Sequence, residues 1–361
     1  MPVTLHLPES ARDLPSPTRA RRINRSHEHD ESSPNELTIG LLNNMSDGAL
    51  EATERQFISL LNAAAEGFHI RVSLCHFPEV SRSNAAKRHL DRCYRSVESL
   101  WDTHLDGLIV SGREPAYPSL RDEPYWNSFV RIHEWAREST FSTVWSCLAA
   151  HAAVLHMDGV QRQRSQYKHC GIFDCVRVSD HPMLMHIPET FRLPHSRWNG
   201  LPEAELTRCG YQVLTRAEGA GVDCFVKQDS SLFVYFQGHP EYESDTLLLE
   251  YRRDVGRYLN GESSVYPSMP LGYFDQETEQ RLAGIKHEAA SNSRGETLAL
   301  VASVAPSVGE ERGWRTTARA LYSNWLGQVR LRKQAREQNA DAAIADRMSA
   351  MPEPLPSTVS L

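Results

Sequence analysis

The sequence has no apolar run that approaches the roughly 18 residues needed to cross a bilayer, so no membrane-spanning helix is predicted. Its N-terminus lacks the apolar core of a signal peptide, and we expect a cytoplasmic protein. Basic residues are not in excess: the net charge of −7 gives no electrostatic basis for binding nucleic acid or an anionic membrane. These absences argue against a membrane protein and against a nucleic-acid-binding protein.

Cysteine is sparse as well, and its distribution argues against two further kinds of structure. The seven cysteines are an odd number spread over 361 residues, which favours free thiols in a reducing compartment over a disulfide framework. Cys170 and Cys175 are close in sequence, but no second Cys/His pair at a zinc-site spacing follows them. No metal site is therefore predicted.

The chain divides into three regions by composition. Residues 1–35 are rich in Pro, Arg, Ser, His and Glu and have no apolar periodicity, which predicts a disordered N-terminal tail. Residues 36–335 are expected to form the folded domain, with a C-terminal helical extension from about residue 260. Residues 336–361 are polar and proline-rich, and we expect a second disordered tail there.

The first half of the folded region alternates apolar runs with amphipathic segments. Apolar runs begin at Leu37, Ile70 and Leu105, and segments with the helical spacing of apolar residues lie between them. This alternation predicts an α/β fold with a mostly parallel sheet flanked by helices. Ligands bind such sheets beyond the C-terminal ends of the strands, so the turns after these runs are candidate site positions.

One of those turns carries a cysteine. The stretch from Phe141 to His156 reads as a short strand, a sharp turn at Cys147 and an alanine-rich helix. Enzymes of the α/β class hold a nucleophile on such a turn, where the positive end of the helix dipole favours a thiolate. A buried structural cysteine is the alternative interpretation, and Cys147 alone does not exclude it.

A later strand end offers the base that a nucleophilic cysteine needs. The apolar strand Leu232 to Phe236 is followed by His239 and Glu241. Residues two apart on a straight strand point to the same side, so Glu241 would hold the imidazole of His239, which would accept the Cys147 proton. A turn with a structural histidine remains the alternative interpretation.

These motifs resemble two related families. A His-Pro-Glu motif after an apolar strand, with a cysteine at an earlier turn, resembles the class I glutamine amidotransferases, but those enzymes have G-x-C-x-G where this chain has W-S-C-L-A. The closer resemblance is to the homoserine O-acyltransferases (homoserine O-succinyltransferase family) of methionine biosynthesis. It runs from about Leu37 to about Gly327 through segments such as I-G-L-L-N-N-M, D-G-L-I-V-S-G, S-T-V-W-S-C-L-A-A-H-A, K-H-C-G-I-F, P-H-S-R-W and Q-G-H-P-E-Y.

The resemblance implies a flavodoxin-like, class I glutamine amidotransferase-like fold and a ping-pong acyl transfer. Cys147 would attack the thioester of an acyl-CoA co-substrate, with no bound cofactor. His239, oriented by Glu241, would then deprotonate the hydroxyl of L-homoserine. Backbone N–H groups near Leu148 are candidates for the oxyanion hole.

The resemblance also implies binding positions and partners. Lys168, Ser196 and Arg253 match the substrate-binding positions of the family pattern, and the Arg253 guanidinium would hold the amino-acid carboxylate. Without the resemblance, Lys168 and Arg253 would be interpreted as solvated surface charges. The expected partners are L-homoserine and acyl-CoA, and two copies of the chain are expected to pair as a homodimer.

Two departures leave parts of the reaction open. Many family members have M-P-K-K after the first strand, whereas this chain has M-S-D-G-A, so the role of that lysine is vacant or filled otherwise. In the family, the loop that selects the acyl donor follows the strand that ends here at Gly112, but this chain has R-E-P-A-Y-P there, which does not align with the family pattern. Arg113 would pair with a succinyl carboxylate, and Glu114 would repel it. We favour succinyl-CoA as donor. Acetyl-CoA, serine as acceptor, a glutamine amidotransferase-type hydrolase and a non-catalytic protein are the alternatives.

Overall fold

A single mixed sheet organises the chain. The computed structural model describes residues 2–7, 36–289, 293–305 and 313–349. Eleven strands form this sheet. No helix in these ranges combines the length and the apolar character that crossing a bilayer requires.

The strands and helices alternate in the first half of the chain and separate in the second. The strands are β1 Val3–Leu5, β2 Glu36–Leu42, β3 His69–His76, β4 Tyr94–Ser96, β5 Gly107–Val110, β6 Ser142–Ser146, β7 Gln163–Arg177, β8 Thr190–Gly200, β9 Gln212–Ala217, β10 Gly221–Gln228 and β11 Leu232–Phe236. Their order in the sheet is β1-β3-β2-β5-β6-β11-β10-β9-β7-β8, and β4 lies beside β3. The helices are α1 Asp47–Ala64, α2 Asn84–Cys93, α3 Trp126–Ser139, α4 Leu148–Asp158, α5 Glu203–Arg208, α6 Thr246–Leu259, α7 Gln276–Glu288, α8 Arg294–Ala302 and α9 Trp314–Ser349.

The middle of the sheet is parallel and buried on both faces. Every residue of β5, β6 and β11 is buried, which explains why these strands carry no charged residue and do not alternate between apolar and charged positions. The register pairs Val110 with Trp145 and Phe236 with Ser146. Because the three strands run in parallel, they deliver the following turns to one edge of the sheet.

Helices cover both faces of this parallel part. Neighbouring residues of β5 and β11 enter two separate apolar clusters, with Ile109 and Val234 in one and Val110 and Tyr235 in the other. The first cluster is closed by α1 and α9, and the second by α3 and α4. The prediction of a mostly parallel α/β sheet flanked by helices is confirmed.

Strands β7, β8, β9 and β10 pair in antiparallel fashion and extend the sheet beyond β11. The pairs β10–β11, β9–β10, β7–β9 and β7–β8 are all antiparallel. The long β7–β8 pair sets Cys170 opposite Ser196 and Gly171 opposite His195. It therefore carries candidate substrate-binding residues toward the same edge as the parallel strands.

Both predicted tails differ from the structure in part. Val3–Leu5 form an edge strand parallel to β3, with Val3 opposite Ile70, although residues 1–35 are predicted to be a tail. This strand is too short to produce a detectable apolar period, and its partner lies far along the chain. At the other end, α9 continues to Ser349, past the predicted boundary at residue 335. The rest of both predicted tails, 8–35 and 350–361, lies outside the described residues.

Candidate active site

Cys147 occupies a sharp turn between β6 and α4. Its backbone has φ 52° and ψ −113°, one of two non-glycine residues with positive φ among the described residues. A residue with a Cβ pays for this conformation in strain, and such strain recurs where a nucleophile is held on a strand–helix turn. The Cys147 N–H donates to the Phe236 carbonyl oxygen at 2.7 Å, which ties the turn to the end of β11.

The first turn of α4 lies directly against the end of β5. A Cβ at Gly112 would lie 2.6 Å from the backbone nitrogens of Leu148 and Ala149, so only glycine permits this approach. The first intrahelical hydrogen bond runs from Ala150 N–H to the Cys147 carbonyl oxygen at 3.0 Å. The preceding N–H groups of Leu148 and Ala149 therefore belong to the positive end of the helix, beside the Cys147 side chain.

His239 and Glu241 lie in the turn that follows β11. The His239 Nδ1 and the Glu241 Oε1 are 2.8 Å apart, and both side chains are buried. The prediction that the pair lies on a straight strand is wrong, because β11 ends at Phe236 and residues 240–241 form a turn. The His239 N–H donates to the Pro194 carbonyl oxygen at 2.8 Å, and this contact fixes the turn against β8.

Cys147 and His239 are in contact across the two strand ends. Burial by itself would lower the pKa of His239, but the Cys147 thiolate and the Glu241 carboxylate, through their charges and hydrogen bonds, raise that pKa well above its ordinary value. An imidazolium beside a thiolate is a nucleophile with its acid–base partner already in place. The arrangement can attack a carbonyl carbon and move the associated proton.

Lys168 and Ser196 converge on carboxylates of α6. Lys168 Nζ donates to Asp254 Oδ2 at 2.8 Å and lies 4.0 Å from Glu250 Oε2. Ser196 Oγ donates to Glu250 Oε2. Arg253 Nε donates to Asp254 Oδ1 at 2.9 Å, and its side chain is 46% exposed. The three predicted substrate-binding residues thus form one charged cluster.

Tyr242 joins this cluster to the turn that carries His239 and Glu241. Its ring stacks on the His239 imidazole with centroids 4.2 Å apart, and its hydroxyl donates to Glu250 Oε1 at 2.8 Å. Sequence reasoning missed Tyr242, Glu250 and Asp254. The signal was present in Q-G-H-P-E-Y and in the helix that carries Arg253, but an acidic residue on a helix is ordinarily a solvated charge.

Arg113 and Glu114 diverge after β5. Glu114 is exposed and pairs with Arg257 of α6 at 2.9 Å. Arg113 turns inward, and its positive charge acts on the hydroxyl of buried Tyr125. Within the part of the chain that the structure describes, the buried Arg113 Nε has no hydrogen-bond partner. The two candidate donor-selecting residues therefore do not neutralise each other.

The turn after β2, where many family members have lysines, holds an arginine from elsewhere. Arg82 Nη1 donates to the Met45 carbonyl oxygen at 2.5 Å and lies 3.2 Å from Asp47 Oδ1. Asp47 Oδ2 also accepts the Ser83 N–H at 2.7 Å. The cation at this turn is therefore Arg82, which is nearly buried.

A second histidine–carboxylate pair lies against Gly238, next to the turn that carries His239 and Glu241. His195 Nε2 and Asp223 Oδ1 are 3.3 Å apart and fully buried. A Cβ at Gly238 would lie 2.7 Å from Asp223 Oδ1 and 2.9 Å from His195 Nε2. Cys175 lies close to the same pair, but burial raises the pKa of its thiol and its Sγ donates to the Phe173 carbonyl oxygen. A protonated thiol is a poor metal ligand, so we assign this group to supporting the turn.

His151 supports the other side of the turn. It lies one helical turn after Cys147, and its Nε2 is 2.9 Å from Gln237 Oε1, which also accepts the Leu201 N–H. Because that oxygen is an acceptor, Nε2 carries the proton. Burial and the charge of Arg197 lower the pKa of His151 to about 3, so the ring is neutral at physiological pH.

This neutral histidine predicts a specific acid sensitivity. The unfolded chain binds a proton at His151 below pH about 6.5 and the folded chain does not, so folding loses about 2 kcal/mol at pH 5 through this group. We expect the His151→Gln variant to lose about 2 kcal/mol less stability than the parent between pH 7 and pH 5 in urea denaturation. Exposed His69 provides the control, and His69→Gln should keep the parental slope. Equal slopes for parent and His151→Gln would contradict the assignment.

Comparison with known proteins shows the family to which the chain belongs. A family model described as homoserine O-succinyltransferase matches residues 22–335. A homoserine O-succinyltransferase of Rhodopseudomonas palustris is 45% identical over 290 residues, covering 80% of this chain and 87% of the relative. One of Bradyrhizobium japonicum is 44% identical over 299 residues, covering 81% and 90%. A glutamine amidotransferase structure from Thermotoga maritima is 12% identical, covers 81% of this chain and 98% of its own, and has a TM-score of 0.46. The resemblance read from the motifs is confirmed, and the chain belongs to the homoserine O-succinyltransferase family of acyltransferases.

Proposed function

We propose that this protein transfers the succinyl group of succinyl-CoA to the hydroxyl of L-homoserine, in methionine biosynthesis and without a bound cofactor. Family membership supports the reaction. The observation that carries the mechanism is the contact of Cys147 with His239, which Glu241 holds at 2.8 Å. The protein is proposed to act in the cytoplasm, and a homodimer remains a prediction.

In the first half-reaction, the Cys147 thiolate attacks the thioester carbonyl carbon of succinyl-CoA. The negative charge that develops on the carbonyl oxygen is stabilised by N–H groups at the start of α4, including that of Leu148. The new C–S bond forms as the bond to CoA breaks, and the CoA sulfur takes the proton of the His239 imidazolium. The products are free CoA and a succinyl thioester on Cys147.

In the second half-reaction, His239 is neutral and acts as a general base. Its Nε2 accepts the proton of the homoserine hydroxyl as the oxygen attacks the acyl carbon of the Cys147 thioester. Glu241 holds Nδ1 and so keeps Nε2 available as the acceptor. Collapse of the tetrahedral intermediate releases O-succinylhomoserine and restores the thiolate beside an imidazolium.

The charged cluster of α6 suits an amino-acid acceptor. Homoserine has an ammonium and a carboxylate, and the cluster presents Lys168 and Arg253 together with Glu250 and Asp254. We assign the carboxylate to the Arg253 guanidinium, which is half exposed and therefore accessible. Ser196 donates a hydrogen bond to Glu250 and would hold the Glu250 carboxylate in place to bind the ammonium group of homoserine.

Arg113 provides a test of donor selection. If the half-buried Arg113 side chain binds the free carboxylate of the succinyl group, its removal costs one charge-assisted hydrogen bond, about 1.5–3 kcal/mol. We expect Arg113→Met to lower kcat/KM for succinyl-CoA about 10- to 100-fold and to leave that for acetyl-CoA nearly unchanged. Exposed Arg121 on the same loop gives the control, and Arg121→Met should leave both values unchanged. An equal loss for both donors would contradict the assignment.

The function itself is tested by a product assay. Purified protein is incubated with succinyl-CoA or acetyl-CoA and with homoserine or serine, and free CoA and acylated amino acid are quantified. The proposal predicts homoserine-dependent CoA release with succinyl-CoA as the preferred donor. Ammonia release from glutamine, measured in parallel, would instead favour the amidotransferase-type hydrolase. Preference for acetyl-CoA would favour the acetyltransferase alternative.

A further inference from the structure

Three side chains of metal-ligating types meet where α3 packs against α4, partly open to solvent and away from the Cys147 end of α4. His156 Nε2 lies 2.7 Å from Glu134 Oε1, and His133 Nδ1 lies 3.4 Å from the same oxygen. One ligand atom from each residue lies within 4.8 Å of the other two. His133 and Glu134 belong to α3 and His156 to α4, 22 residues after Glu134, which is why a search for short ligand spacings does not find the group.

His133 is an independent reason to expect a ligand here. Its side chain is fully buried, its Nδ1 has only the Glu134 oxygen at 3.4 Å, and within the described residues its Nε2 has no hydrogen-bond partner. Its ring packs against Trp145 at 5.2 Å and Phe233 at 5.1 Å, neither of which offers an acceptor. A buried polar group without a partner is uncommon in native structures and calls for an explanation such as a bound ion.

We propose that His133, Glu134 and His156 bind a divalent transition-metal ion of the zinc class. Two imidazole nitrogens and one carboxylate oxygen form the ligand set of an open zinc site, and a water molecule would complete four-coordination. Water can reach the ion because the Glu134 and His156 side chains are 50% and 23% exposed. Small movements of these exposed side chains would bring the three ligand atoms to bonding distance of one ion.

The surroundings suit such an ion. The second carboxylate oxygen of Glu134 accepts from Arg137 Nη1 at 3.0 Å, and Arg137 is itself held by Asp229 at 2.8 Å. Such hydrogen bonds behind a ligand fix its orientation toward the metal. The ion would link α3 to α4, and Trp145, which packs on His133, lies two residues before Cys147. A bound ion would therefore stabilise the packing of α3 against α4 and β6, the two elements on either side of Cys147. The proposed metal site does not depend on the proposed reaction.

The test is metal binding by the full chain in a Cys147→Ala background, which removes the half-buried Cys147 sulfur as a competing ligand. Chelator-treated protein is titrated with Zn²⁺ by calorimetry and with Co²⁺ by visible absorption. We expect one ion per chain, the d–d bands of four-coordinate Co²⁺ without a sulfur charge-transfer band, and a higher Tm with Zn²⁺.

The variants Glu134→Gln and His156→Ala test the ligands. Each replaces a partly exposed side chain, so folding should survive, and circular dichroism checks it. We expect affinity to fall at least about 100-fold in each, beyond the range seen when an outer-shell partner is lost. His69→Ala, which removes an exposed histidine of β3, should bind as the parent does. Binding that both ligand variants retain, or no binding by the parent, would overturn the proposal.

Discussion

Replacing Cys147 with serine is expected to lower the acyl-transfer rate by at least about 10⁴-fold while the fold is retained. The side chains differ by one atom, so packing at the turn is preserved. The serine hydroxyl does not ionise near neutral pH, so the charge that faces the His239 imidazolium disappears. Loss of a nucleophile in an enzyme of this type removes most of the rate enhancement. Initial rates of CoA release measure the effect.

Cys209 supplies the matched control for this change. It is a free, half-buried cysteine at the C-terminal end of α5. We expect Cys209→Ser to retain the parental rate within about twofold, because single substitutions away from special features are usually nearly neutral. A Cys147→Ser protein that keeps more than a tenth of the parental rate would remove Cys147 from the mechanism.

Replacing His239 with asparagine is expected to lower the rate by about 10²–10⁴-fold, the usual contribution of a general acid–base residue. Both half-reactions need the histidine, first as a proton donor to CoA and then as a base toward homoserine. Burst measurements should therefore show slower acylation and slower transfer. A defect confined to one half-reaction would contradict the dual role.

The same variant has a defined effect on stability against pH. The pKa of His239 is raised in the folded protein, so the imidazolium stabilises the fold fully below the ordinary histidine pKa of about 6.5. That contribution disappears as the pH rises through the raised folded-state pKa. The stability difference between parent and His239→Asn should therefore be largest at pH 6 and smaller at alkaline pH. Urea denaturation across this range checks it, and a difference that grows with pH would contradict the thiolate–imidazolium pair.

The parallel part of the fold could be predicted from sequence because local and global signals agree there. Strands such as β5 and β11 consist of consecutive buried apolar residues, and helices on either side cover them. The helical spacing of Leu247, Leu248, Tyr251 and Val255 predicts a helix from Asp245 to Leu259, and α6 has these bounds within one residue. By contrast, the weak apolar period over about 278–303 predicts one helix, whereas the structure has α7 and α8 there, because α7 ends at Glu288 and the Ser293 capping box begins a new helix.

The candidate site was predictable only where chemistry is concentrated in few residue types. Cys147, His239 and Glu241 stand out because they follow apolar strands, and the structure brings the three side chains together. Tyr242 and Glu250 did not stand out, because a helix carboxylate acquires meaning only from what the β7–β8 pair places beside it. Sequence separation hides such contacts, since Ser196 and Glu250 are 54 residues apart.

The formation of a succinyl thioester on Cys147 is tested most directly by intact-protein and peptide mass spectrometry after the protein is mixed with succinyl-CoA in the absence of homoserine. We expect a mass increment of one succinyl group on the peptide that contains Cys147, and we expect this increment to disappear when homoserine is added. The Cys147→Ser protein, treated in the same way, should show no thioester adduct. An unmodified Cys147 in protein that still forms O-succinylhomoserine would contradict covalent catalysis by Cys147, because acyl transfer would then proceed without the covalent intermediate.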